Sequence, residues 1–311
     1  MSGGFRHDAV LYAGFDDFVA QMGPFVVDGV AADEPTLVVV DKTKIDALRE
    51  ALGDVADEVT FADMRDVGEN PARIIAAWRA FVDEHAGRRV RGIGEPIHPD
   101  RTADELRECH LHEALLNVAF HADEPFWLVC PYDVAALPHE VIDTSRRTHP
   151  LVGPCHAPHP SAQYRPVDDH LPFDAPLVPP PEWVRVIPFG EGELPVVRRT
   201  ARALGRVHGL PAERIDDFVI ALNEVATNAV EHGGGIGELR LWSDQGHLVA
   251  EVADRGVIDD ALVGRLPPAL DLESRRGLWL ANQLCDLVQI HSAEHGTTIR
   301  VLVRMGSALA G

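Results

Sequence analysis

The chain has 311 residues, of which 46% are hydrophobic and 25% charged, a composition typical of globular proteins and a length sufficient for two domains. Its formal net charge of -21 argues against direct binding to nucleic acid or to an anionic membrane surface, because phosphate binding depends on clustered Lys and Arg. It has no apolar run of transmembrane length and no signal-peptide layout at its start, so we expect a cytoplasmic protein.

Strands and helices alternate along the first half of the chain. Residues 36–41 form a continuous apolar run rich in valine, as a parallel strand buried on both faces requires. The other predicted strands are 9–12, 59–61, 90–93 and 126–130. The predicted helices are 15–25, 44–52, 71–85 and 103–120. This order predicts an α/β domain with a doubly wound sheet and right-handed crossovers.

Four polar residues that follow predicted strands are candidates for a ligand site: Asp41, Glu95, Tyr132 and Asp133. Ligands of doubly wound sheets bind at the carboxyl ends of the strands. Each residue is at least as well explained as a helix cap or turn residue, so both interpretations stay open. No strand end carries a glycine-rich phosphate loop, and nucleotide hydrolysis is therefore not assigned to this half.

Histidine and cysteine residues cluster at two places. Residues 109–113 (CHLHE) lie in a predicted helix, where of these residues only Cys109 and Glu113 share a face, so the group is poorly placed to share a metal ion. His149, Cys155, His156 and His159 have side chains that suit Zn²⁺, but their spacing matches no standard zinc pattern. A proline-rich surface loop is the favoured interpretation, with a zinc site as the alternative. The four cysteines of the chain form no C-x-x-C pair, which favours reduced thiols.

Five segments of this half form a recognisable pattern: 7–12 (HDAVLY), 94–96 (GEP), the predicted helix 105–118, 130–133 (CPYD) and 149–150 (HP). Together they resemble the MEDS family, which is named for methanogen, methylotroph and DcmR sensory proteins. The resemblance covers about residues 5–160. It implies a fold similar to the RecA/KaiC type without a working P-loop, and a sensor of a small molecule or another signal.

A proline-rich segment, residues 170–181 (HLPFDAPLVPPP), separates the two halves and favours extended polyproline geometry. We therefore predict a sensory domain at 1–168, a linker at 169–182 and a second domain at 183–311. The predicted elements of the second domain are a strand (183–188), two helices (194–208, 211–232), a hairpin (239–243, 247–253), a helix (277–284) and two strands (287–291, 298–303).

The second predicted helix of this half places a carboxylate beside a carboxamide. Glu224 and Asn228 are four residues apart and therefore project from one helix face. The carboxylate has the chemistry of a general base, and the carboxamide oxygen suits Mg²⁺. In isolation such a pair is usually a solvated helix face, so the residues that follow it decide its interpretation.

Three further motifs follow in a fixed order. Asp254 and Gly256 end a strand, where a carboxylate can accept the exocyclic amine of adenine and a glycine leaves space for the base. Arg276-Gly277 begins a helix, whose N–H groups and dipole attract phosphate. Thr298, on the last strand, has a hydroxyl that can complete the adenine contacts. The four motifs in this order predict an ATP site.

The second half resembles the GHKL (Bergerat) ATPase fold, an α+β two-layer sandwich, over about residues 184–305. The segment 223–229 (NEVATNA), without a dimerisation hairpin, looks most like the RsbW/SpoIIAB anti-sigma-factor serine kinases. That resemblance implies binding of ATP and Mg²⁺, a sigma factor and a STAS-domain anti-anti-sigma protein as partners, and pairing as a homodimer. It also implies site roles: Glu224 as the base for a substrate serine, Asn228 as the Mg²⁺ ligand, Asp254 as the adenine partner, and Gly256, Arg276, Gly277 and Thr298 as nucleotide contacts.

Arg275 departs from the family pattern, which has glycine at this position. A bulky residue restricts the approach of the backbone to phosphate, although its guanidinium could pair with the phosphates instead. A catalytically inactive binding regulator is therefore the alternative function. An orphan sensor histidine kinase is less favoured, because Pro138 and Pro150 bracket His139 and leave no room for a long helical hairpin.

Overall fold

The computed structural model describes residues 4–167, 173–268 and 276–305. The chain forms two compact units, Met1–Asp168 and Asp169–Gly311. Each unit is described separately below.

The first unit is built on a seven-stranded sheet with the order β3-β2-β4-β5-β1-β6-β7. All neighbouring strands pair in parallel except β6 and β7, which pair antiparallel. The strands are β1 (Arg6–Tyr12), β2 (Thr36–Val40), β3 (Thr60–Asp63), β4 (Val90–Gly94), β5 (Phe126–Asp133), β6 (Leu151–Gly153) and β7 (His159–Pro160). The central strands β2 and β4 are buried along their whole length, in agreement with the apolar run of β2 in the sequence.

The described residues of this unit form six helices: α1 (Phe15–Ala31), α2 (Lys42–Leu52), α3 (Met64–Val67), α4 (Ile74–Glu84), α5 (Ala103–Ala119) and α6 (His139–Thr148). The mixed α/β architecture with a mostly parallel sheet agrees with the prediction, whereas the RecA/KaiC-like relationship stays a prediction. Residues 71–73, predicted as the start of a helix, form a 3₁₀ turn that Asn70 caps through Ala72 N–H. Strands β6 and β7 lie where the sequence favoured a loop, because Leu151 to Gly153 pair with β1.

In the part of the second unit that the structure describes, an antiparallel sheet and three helices form a two-layer sandwich. Its sheet has the order β11-β12-β10-β9-β8. The strands are β8 (Ile187–Phe189), β9 (Gly237–Asp244), β10 (His247–Asp254), β11 (Leu287–Ala293) and β12 (Gly296–Arg304). The helices are α7 (Leu194–Val207), α8 (Ala212–His232) and α9 (Arg276–Leu284). Helix α8 contacts α7, α9 and strands β10 and β12, and so forms the centre of the helical layer.

The sheet face opposite the helices carries a buried ion pair. Arg300 on β12 donates to the Glu251 carboxylate on β10 at 2.6 Å, and both side chains are at most 6% exposed. Arg300 also donates to the Val178 carbonyl at 2.7 Å. The Ser292 N–H on β11 donates to the Phe173 carbonyl. The described part of the predicted linker is therefore packed against the sheet of its own unit.

No helix in the described ranges combines the length and the apolar character needed to cross a membrane.

Candidate functional site

Helix α8 and the start of helix α9 lie against each other at the Glu224 and Asn228 side chains. A β-carbon at Gly277 would lie 3.0 Å from Asn228 Nδ2 and 3.4 Å from Glu224 Oε2. Only a residue without a side chain fits this space unless its neighbours move. The structure therefore brings three of the predicted site residues together, of which the i, i+4 spacing on α8 predicted only the pairing of Glu224 with Asn228.

The Glu224 and Asn228 side chains are half-buried and have no hydrogen-bond partner in the described parts of the chain. The neighbouring Asn223 differs, because its Oδ1 accepts from Arg198 Nη1 at 2.7 Å and holds α8 to α7. A half-buried polar side chain without a protein partner remains available to a ligand. Asn228 and Glu224 therefore have free oxygens for a cation or a nucleophile.

At the end of β10, Asp254 turns back onto its own backbone. Its Oδ1 accepts from Gly256 N–H at 2.6 Å, whereas Oδ2 has no hydrogen-bond partner among the described residues. Burial raises the pKa of this carboxyl group above its usual value, and the opposing effects of Gly256 N–H and His232 do not cancel the shift. A β-carbon at Gly233 would clash with the Asp254 side chain, so the end of α8 lies directly against the turn.

A chain of hydrogen bonds fixes the residues after Asp254. Thr297 Oγ1 donates to the Gly256 carbonyl at 2.9 Å, and Ile258 N–H donates to Ser292 Oγ at 2.9 Å. Ser292 Oγ and Thr297 Oγ1 lie 2.8 Å apart. Because Thr297 uses its only proton on Gly256, Ser292 is the donor between them. Ser292 was missed by sequence analysis, since its contact with Thr297 spans the turn between β11 and β12.

These residues surround a cavity of about 580 Å³. It is lined by the α8 residues Asn228 and His232, by Asp254, Gly256 and most of the segment 257–268, by Gly277 and Leu278 of α9, and by Thr297 and Ile299 of β12. The volume falls within the usual range for a small-molecule site. Two predicted residues do not line the cavity themselves. The Glu224 carboxylate lies next to the lining residue Gly277, and Arg276 is the exposed first residue of α9.

The threonine that lines the cavity is Thr297, and the predicted Thr298 faces the other way. Successive residues of a strand point to opposite faces of a sheet. Thr298 alternates with Arg300 and Leu302, whose side chains lie on the face opposite the helices. The sequence prediction was one residue out of register. Arg275 lies outside the described residues.

In the first unit, three of the four candidate ligand residues surround Tyr12. Glu95 accepts from the Tyr12 hydroxyl at 2.6 Å and from Lys44 Nζ at 2.5 Å. Burial, followed by the charge of Glu95, raises the pKa of the Tyr12 hydroxyl. Asp41 caps helix α2 through Thr43 N–H, and Asp133 accepts from the N–H groups of Gly14 and Ala135. These contacts fit the helix-cap and turn interpretation, and the ligand role stays a prediction.

Tyr132 lies apart from those three residues. It is 1% exposed, and its ring meets the His149 ring edge-on at 5.6 Å. The alternative zinc group of the sequence is also not formed: His149 is buried, His156 and His159 are exposed, and the described residues offer no metal cluster that contains Cys155. His149 instead joins His7, Glu113 and Cys130, which are distant in sequence.

Two family models match the chain. Residues 188–303 match the histidine kinase-like ATPase domain, so the antiparallel unit with its cavity is an ATPase-like domain of that type. Residues 6–150 match MEDS, the methanogen/methylotroph, DcmR sensory domain. The chain therefore joins a MEDS domain to a histidine kinase-like ATPase domain, as the resemblances in the sequence predicted.

Among solved structures, the chain is similar to that of the RsbU and RsbW domains of Rv1364c from Mycobacterium tuberculosis, with 23% sequence identity and a TM-score of 0.29. The match covers 39% of this chain and 32% of that one, so it spans about a third of the length of the solved structure. No curated protein matches the chain.

Proposed function

We propose that the chain is an anti-sigma-factor regulator in which the MEDS unit senses a signal and controls a kinase module. The second unit would bind Mg-ATP, sequester a sigma factor and phosphorylate a serine of a STAS-domain anti-anti-sigma protein. One observation supports this proposal above the others: a single cavity is lined by Asn228, Asp254, Gly256 and Gly277, with the Glu224 carboxylate next to it.

The Asp254 end of the cavity suits adenine. The free Oδ2 of Asp254 can accept the exocyclic amine of the base, while Oδ1 is already held by Gly256 N–H. Val257, Ile258 and Leu262 add apolar surface on which a flat base can pack. Guanine has a carbonyl oxygen where adenine has its exocyclic amine. Two hydrogen-bond acceptors would then face each other at Asp254, so this end of the cavity favours adenine over guanine.

The Gly277 end of the cavity suits phosphate. Helix α9 begins at Arg276, and its first N–H groups and dipole favour an anion there. Asn228 lies beside this terminus and offers a neutral oxygen to Mg²⁺, which keeps several waters and phosphate oxygens as its other ligands. Catalysis would consist of positioning and charge neutralisation, with Glu224 accepting the proton of the substrate serine.

Calorimetric titration with ATP, with and without Mg²⁺, tests the nucleotide site. We expect Mg²⁺-dependent binding that Asp254→Asn weakens. Asp244→Asn, an exposed aspartate at the end of β9, is the matched control and should bind as the unchanged chain does. No binding by the unchanged chain would contradict the proposed cofactor.

Transfer of the γ-phosphate to a STAS-domain protein tests the kinase step. Glu224→Gln should abolish transfer and retain ATP binding, whereas Glu231→Gln, an exposed glutamate on the same helix, should leave both unchanged. The labelled product should survive acid treatment, because phosphoserine is acid-stable and phosphohistidine is not. Transfer by Glu224→Gln at the rate of the unchanged chain would remove Glu224 from the mechanism.

Arg275 favours a second candidate function, in which the unit binds a partner protein but does not transfer phosphate. Its partner-binding surface would then be shaped either by bound ATP or by the empty pocket. Arg275→Gly restores the residue of the family pattern and separates the two functions. If turnover is absent in the unchanged chain and appears in this variant, the natural protein is a binding regulator.

A further inference from the structure

Four buried side chains from separate elements of the first unit converge on one point. They are His7 on β1, Glu113 on α5, Cys130 on β5 and His149, which follows α6. Each is at most 2% exposed. One ligand atom of each residue lies within 4.8 Å of the ligand atoms of the other three. Neither the ATP site nor the group around Tyr12 includes these residues.

The spacing of the four atoms is close to that of a tetrahedral metal site. Glu113 Oε2 lies 3.1 Å from His7 Nε2 and 3.2 Å from His149 Nε2, and Cys130 Sγ lies 3.4 Å from His7 Nε2. Zinc bonds of about 2.0–2.3 Å place tetrahedral ligand atoms about 3.3–3.7 Å apart. Small side-chain movements would therefore admit an ion.

The hydrogen bonds of Asn117 fix the tautomer of His7. Asn117 Nδ2 donates to the Thr148 carbonyl at 2.8 Å, which leaves Asn117 Oδ1 facing His7 Nδ1 at 3.1 Å. Because that oxygen only accepts, the proton of a neutral His7 is on Nδ1. The lone pair of Nε2 therefore points to Glu113 and Cys130, as in a metal-binding histidine held by an outer hydrogen bond.

His149 is held in the same way. Its Nδ1 donates to the Ser145 carbonyl at 2.9 Å, so its Nε2 also carries a lone pair. Although Nε2 is 3.2 Å from Glu113 Oε2, it makes no hydrogen bond with a described residue, and neither does Glu113 Oε1. Two lone pairs and a carboxylate thus face one another in a fully buried space, where the Cys130 thiol offers a single weak donor to the three of them. This arrangement is unfavourable without a cation.

We propose that His7, Glu113, Cys130 and His149 bind one divalent transition-metal ion, with Zn²⁺ as the best match. Protonation of both His7 and His149 is the other way to supply positive charge. It would create two like-charged imidazolium rings whose centroids are 4.0 Å apart in a buried space, where their repulsion is strong. One divalent ion with one thiolate and one carboxylate gives a neutral site. Thiolate and imidazole ligands favour Zn²⁺ over Mg²⁺ or Ca²⁺.

On binding, the Cys130 thiol loses its proton to solvent and the sulfur becomes a metal ligand. All four positions of a tetrahedral ion are then filled by protein, which is typical of structural sites and leaves no place for a reacting water. The ion would join β1, β5, α5 and the segment after α6. The fold of the sensory unit therefore depends on the metal.

Metal analysis of the intact chain, purified without chelator, is the first test. We expect one Zn²⁺ ion per chain. After exchange for Co²⁺, the visible spectrum should show the d–d bands of tetrahedral Co²⁺ and a thiolate-to-metal charge-transfer band. A chain that retains neither ion after reconstitution would overturn the proposal, and so would a Co²⁺ complex without the thiolate band.

Two buried cysteines provide a matched pair of variants. Cys130→Ser should lose the charge-transfer band and the stoichiometric metal, whereas Cys109→Ser, at an equally buried position of the same unit, should keep both. Asn117→Ala should lower metal affinity by about 10–100-fold through loss of the outer hydrogen bond. Equal metal binding by the two cysteine variants would contradict the assignment. If Cys130→Ser fails to fold, the Co²⁺ spectrum of the intact chain still decides.

Discussion

Gly277 lies so close to Asn228 that a β-carbon at position 277 would be 3.0 Å from Asn228 Nδ2 and 3.2 Å from Oδ1. This contact joins the first residues of α9, where phosphate is expected, to the side chain expected to hold Mg²⁺. Because position 277 has no side chain, the start of α9 lies directly against the Asn228 amide.

Gly277→Ala should weaken Mg-ATP binding by about tenfold or more, a loss of about 1.4 kcal/mol. The added methyl group must displace Asn228 or Glu224, or tilt the start of α9. Calorimetry measures the affinity. Gly192→Ala is the control, because no atom lies within 4 Å of a β-carbon there and its backbone is not left-handed. Equal affinities for the two variants would show that the close contact is not needed.

Asp254→Asn should lower ATP affinity by about 10–100-fold, since a hydrogen bond to a charged group contributes roughly 1.5–3 kcal/mol. The asparagine oxygen can still accept from Gly256 N–H, but its NH₂ group then faces the amine of adenine, donor against donor. GTP affinity measured in parallel should fall less. A similar loss for both nucleotides would indicate a damaged cavity rather than a lost adenine contact.

As the pH is lowered, ATP binding should begin to weaken at a higher pH than it would if Asp254 had the pKa of an ordinary aspartate. Burial raises the pKa of Asp254, so this carboxylate takes up its proton earlier as the pH falls, and its capacity to accept the adenine amine is lost with the charge. The effect on stability has the opposite sign, because ionising a buried carboxyl lowers the free energy of unfolding as the pH rises through the raised pKa.

The difference in affinity between the unchanged chain and Asp254→Asn, followed across pH, isolates this group from the titration of ATP itself. That difference should shrink towards acid pH. A difference that stays constant down to the ordinary pKa of aspartate, about 3.9, would contradict the shift.

Local periodicity was enough to predict which residues of the candidate ATP site lie together on one element. Glu224 and Asn228 share a helix face because the helical repeat brings i and i+4 together. Thr297 was missed because the two faces of a strand alternate by single residues, and the sequence TT offers no signal to distinguish them.

The cluster of His7, Glu113, Cys130 and His149 was missed for a different reason. Its members lie on elements that only the sheet order brings together, with β1 between β5 and β6. Helix periodicity showed correctly that residues 109–113 do not share one face, yet a metal cluster needs only one residue from that helix. Long-range pairing of this kind is absent from local patterns.

Thr297→Val and Thr298→Val test the register of β12 at the cavity. The first variant removes the proton that holds the Gly256 carbonyl and the acceptor for Ser292, and should destabilise the unit by about 1–3 kcal/mol while weakening ATP binding. The second faces the other side of the sheet and should change stability by less than about 0.5 kcal/mol. Chemical denaturation and ATP titration measure both effects, and a reversed order would favour Thr298 as the cavity residue.

Arg300→Gln should destabilise the second unit far more than Arg202→Gln. Arg300 is 6% exposed and pairs with Glu251, which is 4% exposed, so the variant leaves a buried carboxylate with Arg240 at 3.3 Å as its remaining cation. Breaking a buried pair from one side costs about 3–5 kcal/mol, and the second arginine places the expected loss near the lower end.

Arg202 is the matched control, because it pairs with Asp216 at a similar distance of 2.6 Å but is 43% exposed. Solvent screening makes such a pair contribute at most about 1 kcal/mol. Urea unfolding of both variants, followed by circular dichroism, gives the two free energies. Because Arg300 also donates to the Val178 carbonyl, its loss should in addition expose the segment that covers this sheet face to proteolysis. Equal stability of the two variants would mean that burial adds nothing to the Arg300 pair.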